Sequence, residues 1–142
     1  RQGYGWPLGQ VWLKKFIKVE DKEYSLAAVE KNMLQKMGDA RIHFAINCAS
    51  YSCHKLQNTA FTAANVNALM NKSAKEFINS DKNDFIVPNH PKLSSIFSFY
   101  PKDFTRNGLT LAAYINPYAD TEIAEKEEYS YINYDWSLDK QK

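Results

Sequence analysis

Residues 41–54 of the 142-residue chain read RIHFAINCASYSCH, and the fold prediction starts from this stretch. Apolar and polar side chains alternate over residues 41–47, and a period of two predicts a β-strand. One face of this strand would pack in a core and carries Ile42, Phe44 and Ile46. The other face groups three polar residues around the small Ala45, namely Arg41, His43 and Asn47. We interpret this polar face as one wall of a site that continues into the cysteine segment.

The segments before this stretch predict a hairpin and a helix. An apolar run that ends at Val19, the polar stretch 20–23 and the following Tyr24 are typical of two short strands joined by a turn. Ser25 is a favourable helix N-cap and Gly38 a favourable C-cap, with apolar residues at helical spacing between them. We therefore expect one helix between these two residues.

The segments after it add further helices and strands. An amphipathic pattern predicts a helix that begins near Thr59 or Thr62 and ends at about Asn79. Residues 92–100 suit either a strand or a short helix, and residues 129–134 alternate as a strand does. We therefore predict a single α+β domain in which helices pack on a small, mostly antiparallel sheet.

The composition is that of one ordinary globular domain. Apolar residues make up 44% and charged residues 24%, which excludes a disordered, collagenous, coiled-coil or disulfide-scaffold protein. The net charge of +2 gives no argument for nucleic acid, and no apolar run reaches the roughly 20 residues that a membrane span needs. Residues 1–15 contain glycine and proline without periodicity, so we expect an irregular arm there.

Cys48 and Cys53 are the candidate nucleophiles of the chain. A catalytic thiol needs a base, a group that orients the base, and donors for an oxyanion. The candidate base is His43 or His54, and the candidate orienting groups are Glu30, Asn47, Asp103 and Asp135. The alternative for the two cysteines is a packing role or a small disulfide loop, and a disulfide would indicate an extracytoplasmic protein.

The remaining side chains suggest binding rather than cofactor chemistry. The three histidines lack a paired spacing and the early glycines do not follow a strand, so we predict neither a metal site nor a bound cofactor. Aromatic residues make up 14% of the chain, mostly for a core, with an aromatic-lined cleft as the alternative. The candidate binding residues are Arg41, Asp103, Asp135 and Trp136.

Five stretches together resemble the domain-of-unknown-function 547 family, over about residues 16–138. They are Ser25-Leu26 with Val29-Glu30, residues 41–50 with Ser52-Cys53, Leu93–Phe97, Tyr100 with Asp103-Phe104, and Tyr134–Leu138. His54 departs from the family, which usually has proline directly after the second cysteine. Residues 1–15 also lack the family's N-terminal helix pattern, Trp-Ile-Asn-x-Tyr-Asn, so we expect the N-terminal part of the family domain to be missing.

This resemblance implies a distant relationship to papain-like and transglutaminase-like folds, and therefore a cysteine-peptidase-like architecture. In such folds the nucleophile lies on an early helix and the histidine on a later strand. On that mapping His43 keeps the histidine position, the nucleophile helix is the missing one, and Cys48 and Cys53 are loop residues. The resemblance brings no settled activity with it.

Three interpretations follow from these patterns. We expect a binding or catalytically incomplete module whose pocket of His43 and cysteine takes an unknown peptide or protein ligand. The alternative is a thiol-dependent hydrolase or acyl transferase that acts on peptide or amide bonds. In a third interpretation, Arg41, Glu30 and His43 form a buried polar network that fixes a helix to the strand.

Overall fold

The computed structural model of the chain describes residues 6–87 and 90–139. Backbone contacts divide the chain into two compact units, one that ends at Ala40 and one that begins at Arg41. Within the described ranges, no helix has the length and apolar character that crossing a membrane requires. The expectation of a single domain stays a prediction.

The first unit contains a helix, a hairpin and a second helical stretch. Helix α1 spans Trp6–Leu13, strands β1 and β2 span Ile17–Val19 and Lys22–Tyr24, and α2 spans Leu26–Ala28. The hairpin is antiparallel, with Ile17 opposite Tyr24, which confirms its prediction. The irregular arm is wrong for residues 6–13, because proline fits the first turn of a helix and Pro7 therefore does not prevent one. Residues 1–5 lie outside the described ranges.

The helix predicted between Ser25 and Gly38 is confirmed at both ends. Ser25 Oγ accepts a hydrogen bond from the Ala28 N–H at 3.1 Å, and Gly38 has a φ of 77°, as a helix C-cap often does. Between the caps the winding changes after α2, to a π-helix over Val29–Leu34 and a 3-10 turn over Gln35–Met37.

The second unit combines four further helices with a parallel pair of strands. Its elements are α3 (Val66–Ile78), β3 (Lys92–Ser94), α4 (Ile96–Phe99), α5 (Pro101–Phe104), α6 (Leu111–Ile115) and β4 (Ser130–Ile132). Strand β3 pairs with β4 in parallel, with Leu93 opposite Tyr131. The α+β class is therefore confirmed. A mostly antiparallel sheet is not confirmed, because β1 and β2 pair in antiparallel and β3 and β4 pair in parallel. The long connection between β3 and β4, which contains α4, α5 and α6, allows β4 to run in the same direction as β3.

The strand predicted over residues 41–47 is wrong. Residues Ala40–Phe44 form a 3-10 helix, and the N–H groups of Ala45 and Ile46 both donate to Ile42 O at 3.0 Å. A strand would need a neighbouring strand for these bonds, whereas this turn satisfies them locally. Burial does not alternate either, because Ile42, His43 and Phe44 are buried in succession.

An aromatic cluster forms the core of the second unit. Phe44 is fully buried, and its ring centroid lies 5.0 Å from that of Phe77, 6.1 Å from Phe97 and 5.9 Å from Phe104. These separations are typical of favourable aromatic pairs. The cluster therefore joins the 3-10 turn to helices α3, α4 and α5.

Asp84 is a buried carboxyl group beside β3. It accepts a hydrogen bond from the Ser94 N–H at 2.7 Å, and its second oxygen has no partner among the described residues. Burial raises the pKa of Asp84 to about 8, against an ordinary value of about 3.9. The folded chain therefore holds this proton between roughly pH 4 and pH 8, where the unfolded chain has released it.

We expect Asp84→Asn to remove a pH-dependent loss of stability. Since the folded state binds the extra proton, the free energy of unfolding of the parent protein should fall as pH rises from 4 to 8. The variant should be more stable at pH 8, by on the order of a few kcal/mol, and nearly equal at pH 4. Urea unfolding at each pH measures this, with the exposed Asp81→Asn as control. Parallel pH profiles for parent protein and Asp84→Asn would contradict the assignment.

Candidate functional site

The cysteine segment is a loop that pairs with the last described residues of the chain. Backbone hydrogen bonds of 2.7–3.2 Å join them, from Tyr51 N–H to Ser137 O, from Ser52 N–H to Asp135 O and from Asp139 N–H to Ala49 O. The Asp135 N–H also donates to Ser52 Oγ at 2.9 Å. This pairing places Tyr134 next to Cys48, although 86 residues separate them in sequence.

The side chain of Asn47 forms two hydrogen bonds within the cysteine loop. Its side-chain oxygen accepts from the Ala49 N–H at 2.8 Å, and its amide donates to His54 O at 2.7 Å. Ala49 has a φ of 58°, in the left-handed region that residues other than glycine adopt uncommonly. The Asn47 bonds hold this turn and thereby fix the direction of the Cys48 side chain.

The sulfur of Cys48 lies among hydroxyl groups. Cys48 Sγ is 2.9 Å from Ser50 Oγ and 3.6 Å from Tyr134 OH, and the two hydroxyl oxygens are 3.1 Å apart. The Cys48 N–H donates to Cys53 Sγ at 3.2 Å. Both cysteines are thiols rather than disulfide partners, with Cys48 partly exposed and Cys53 buried.

These contacts separate the pKa values of the two thiols. Hydrogen bonding from Cys53, against the opposing effect of burial and with the help of the Ser50 and Tyr134 hydroxyls, lowers the pKa of Cys48 to about 4. The same interaction with Cys48, together with burial, raises the pKa of Cys53. Burial also raises the pKa of Tyr134. These shifts favour the thiolate form of Cys48 and the protonated forms of Cys53 and Tyr134.

His43 lies in an aromatic sandwich and pairs with one of the predicted orienting groups. Its Nε2 is 2.9 Å from Asp103 Oδ2, and Arg106 donates to the other Asp103 oxygen at 3.1 Å. The imidazole stacks on Tyr100 at a centroid distance of 4.1 Å and tilts against Phe104 at 5.3 Å. The structure thus joins His43 to Asp103, and Cys48 to Cys53.

The other predicted residues have various surroundings. Arg41 donates to Asn71 Oδ1 at 2.7 Å and to Asn67 Oδ1 at 3.1 Å. Glu30, in the first unit, accepts from Gln35 Nε2 at 3.5 Å. The remaining two predicted residues are in the C-terminal segment, where Asp135 accepts from the Ser137 N–H at 2.8 Å and Trp136 stacks on Phe99 and tilts against Tyr134. Among the described residues, no three His, Cys, Asp or Glu side chains are placed to hold a metal ion.

Sequence reasoning missed Ser50 and Tyr134 as site residues. Both belong to stretches that carry the family resemblance, but nothing in the sequence places either hydroxyl beside a cysteine sulfur. Their positions in those two stretches were the available signal. Their role becomes visible only when the loop and the C-terminal segment pair.

A family model described as "Protein of unknown function, DUF547" matches residues 4–78. The match includes His43, Asn47 and both cysteines, and it ends before Asp103 and Tyr134. It begins earlier in the chain than the resemblance at residue 16, and it does not extend over residues 79–138. No curated protein and no solved structure matches the chain.

We expect Cys48 to react with iodoacetamide at a rate that is nearly independent of pH between 6 and 8. A thiol with its pKa near 4 is already ionised over this range, whereas an ordinary thiol titrates near 8.5. Cys53 should stay unmodified in the folded protein because it is buried and protonated. Mass spectrometry of peptides after timed labelling gives both rates.

The matched controls are Cys48→Ser and the parent protein in urea. In Cys48→Ser the fast reaction should disappear, and in urea both thiols should titrate near 8.5. A Cys48 rate that rises about tenfold per pH unit up to pH 8 would show that the folded site leaves the thiol at its ordinary pKa.

Proposed function

The chain belongs to the DUF547 family, whose function is unknown, and we propose that its loop of residues 47–53 is a nucleophilic thiolate site that acts on peptide or amide bonds. The proposal makes this domain a thiol-dependent hydrolase or acyl transferase with Cys48 as nucleophile. The observation that carries it is the partly exposed Cys48 sulfur with the Ser50 and Tyr134 hydroxyls beside it.

A cysteine that is already a thiolate at neutral pH does not need a base to remove its proton. The low pKa of Cys48 therefore supports nucleophilic attack without direct help from His43. A thiolate of low pKa is a weaker nucleophile than one of ordinary pKa, but its full ionisation at neutral pH compensates in part. The imidazole of His43 can therefore be hydrogen-bonded to Asp103 without preventing the attack by Cys48.

The reaction can be written with the groups around Cys48. The sulfur attacks the carbonyl carbon of an amide, a C–S bond forms and the C–N bond breaks. The leaving nitrogen takes a proton from the Tyr134 hydroxyl, which burial keeps protonated. Water then attacks the thioester, returns a proton to Tyr134 and releases the acid and the Cys48 thiolate; an amine in place of water would give acyl transfer.

We expect the parent protein to release amine from some members of a panel of peptide p-nitroanilides and glutamine-containing peptides, with an acylated Cys48 trapped at low pH. Cys48→Ser should reduce turnover by at least about 100-fold, because the enzyme then lacks the covalent nucleophile. Absorbance measures the released amine, and mass spectrometry measures the acyl adduct.

Ser98→Ala, on the exposed surface of α4, is the control and should keep full turnover. Turnover that persists in Cys48→Ser, or a panel in which nothing acylates Cys48, would refute the proposal.

Exposed aromatic rings favour a second candidate, a module that binds a peptide or protein without turnover. Phe99 and Trp136 are 48% and 41% exposed, and they stack with each other at 6.3 Å. Trp136 also lies 4.5 Å from Tyr134, which contacts Cys48. Exposed aromatic side chains of this kind are common anchors in protein interfaces. Peptide binding with no turnover in the panel would support this candidate.

We expect His43→Gln to lower the free energy of unfolding by roughly 1–3 kcal/mol and to leave Cys48 alkylation unchanged. The imidazole is buried, and it contributes a stacked ring and a bond to Asp103 that glutamine replaces poorly. Thermal unfolding and the labelling rate at pH 7 are the measurements, with the exposed His90→Gln as control. A stable variant with slow alkylation would instead give His43 the role of base.

A further inference from the structure

The two thiols of the cysteine loop lie close to each other. The Cys48 N–H donates to Cys53 Sγ at 3.2 Å. Since an N–Cα bond is about 1.46 Å long, Cys53 Sγ lies within about 4.7 Å of Cys48 Cα. A disulfide with an S–S bond of about 2.05 Å needs roughly 3.5–4.5 Å between these two atoms. The loop therefore holds the Cys53 sulfur at a distance from which it can bond to the Cys48 sulfur.

Hydrogen bonds within the loop maintain this approach. The Cys53 N–H donates to Ser50 O at 3.0 Å, which closes a tight turn over residues 50–53. The Asn47 side chain accepts from the Ala49 N–H and donates to His54 O, so it ties together both ends of the cysteine segment. Closing a bond between residues that the fold already holds in place costs little further conformational entropy.

The surroundings of Cys53 are polar, although its side chain is buried. Its sulfur accepts from the Cys48 N–H at 3.2 Å and lies 3.6 Å from Ile46 O, to which its S–H can donate. A buried cysteine with a packing role behaves as a small apolar residue. Two backbone contacts at the sulfur therefore suggest that this thiol does more than fill space.

The two thiols differ in exposure and in ionisation. Cys48 is partly exposed, and hydrogen bonding from Cys53 lowers its pKa. Cys53 is buried, and its interaction with Cys48 together with burial raises its pKa. Oxidation of a cysteine by peroxide requires thiolate character and access from solvent. Cys48 is therefore the sulfur that meets an oxidant, and Cys53 is placed to react with its neighbour.

We propose that Cys48 and Cys53 form a dithiol site that reduces hydroperoxides and closes to a disulfide. In the first step the Cys48 sulfur attacks the hydroxyl oxygen of the hydroperoxide, an S–O bond forms and the O–O bond breaks. The alkoxide that leaves takes a proton from water and becomes an alcohol. Cys48 is then a sulfenic acid.

In the second step the Cys53 sulfur attacks the Cys48 sulfur. An S–S bond forms, the S–O bond breaks, and the hydroxyl group leaves as water with the proton of the Cys53 thiol. The two cysteines together lose two electrons, and the hydroperoxide gains them. The hydroxyls of Ser50 and Tyr134, at 2.9 Å and 3.6 Å from Cys48 Sγ, are placed to donate to the leaving oxygens.

The disulfide would also control the amide reaction. It consumes the Cys48 nucleophile, so turnover should stop in the oxidised protein and return when a dithiol reductant reopens the bond. This consequence rests on the proposed function, whereas the reaction with hydroperoxide does not.

The test is oxidation of the reduced parent protein by equimolar hydrogen peroxide at pH 7, followed by N-ethylmaleimide in denaturant and mass spectrometry. We expect the protein to lose two hydrogen atoms and to take up no maleimide, with the bond mapped to the peptide that contains Cys48 and Cys53. Dithiothreitol should restore two labelling sites. Two thiols that remain reduced, or an oxidised Cys48 beside a Cys53 that still takes maleimide, would overturn the proposal.

The matched variants are Cys53→Ala, Cys48→Ser and Ser98→Ala. In Cys53→Ala the Cys48 sulfenic acid should accumulate and react with dimedone, because no neighbouring thiol removes it. In Cys48→Ser, Cys53 should oxidise at least about tenfold more slowly than the parent pair, since a buried, protonated thiol is a poor nucleophile. Ser98→Ala, on the exposed surface of α4, should form the disulfide as the parent protein does.

Oxidation of Cys53 at the parent rate in Cys48→Ser would overturn the assigned roles. If Cys53→Ala does not fold, the mass of the parent protein still decides the outcome. Because this experiment contains no amide, it is separate from the substrate panel. Failure of disulfide formation leaves the thiolate proposal standing, and failure of the panel leaves the dithiol site standing.

Discussion

The pairing between the cysteine loop and the C-terminal segment is the constraint on which the site depends. Residues 47–53 are mostly small and polar and bury little apolar surface, so their conformation depends on backbone hydrogen bonds to residues 135–139. The side chain of Asn47 adds two bonds within the loop. Since Tyr134 directly precedes the paired segment, the same bonds that shape the loop also bring the phenol to the Cys48 sulfur. Loss of this pairing would separate the thiol from its hydroxyl partner.

The aromatic cluster around Phe44 determines where His43 lies. Phe44 is completely buried against Phe77, Phe97 and Phe104. His43 directly precedes Phe44 in the tight 3-10 turn and is buried as well. The imidazole is therefore enclosed by Tyr100 and Phe104, and it needs a polar partner, which Asp103 provides. Tyr100 is the N-cap of α5 and Asp103 and Phe104 lie within it, so one short helix with its cap provides these three partners of the ring.

Local features of the fold were predictable, and features that depend on distant partners were not. Ser25 and Gly38 mark the helix ends because capping involves only neighbouring backbone groups. The alternation over 41–47 gave a wrong strand, because no residue within the segment specifies whether a partner strand is available. For the same reason the sequence indicated Cys48 and Cys53 as candidates but did not identify Tyr134, whose contact with Cys48 depends on chain pairing across 86 residues.

The pKa shifts around the Cys48 sulfur favour a negative charge on this atom. Burial disfavours charge on three of the surrounding groups, since it raises the pKa of Tyr134, contributes to the raised pKa of Cys53 and lowers the pKa of His54. A second ion in this small, poorly hydrated region would be costly. The Cys48 sulfur is the favoured place for this charge, because it is partly exposed and can interact with the hydrogen-bond donors around it. The shifts have two causes, because the interaction between the two thiols is the largest cause for Cys48 and Cys53, whereas burial is the largest cause for Tyr134 and His54.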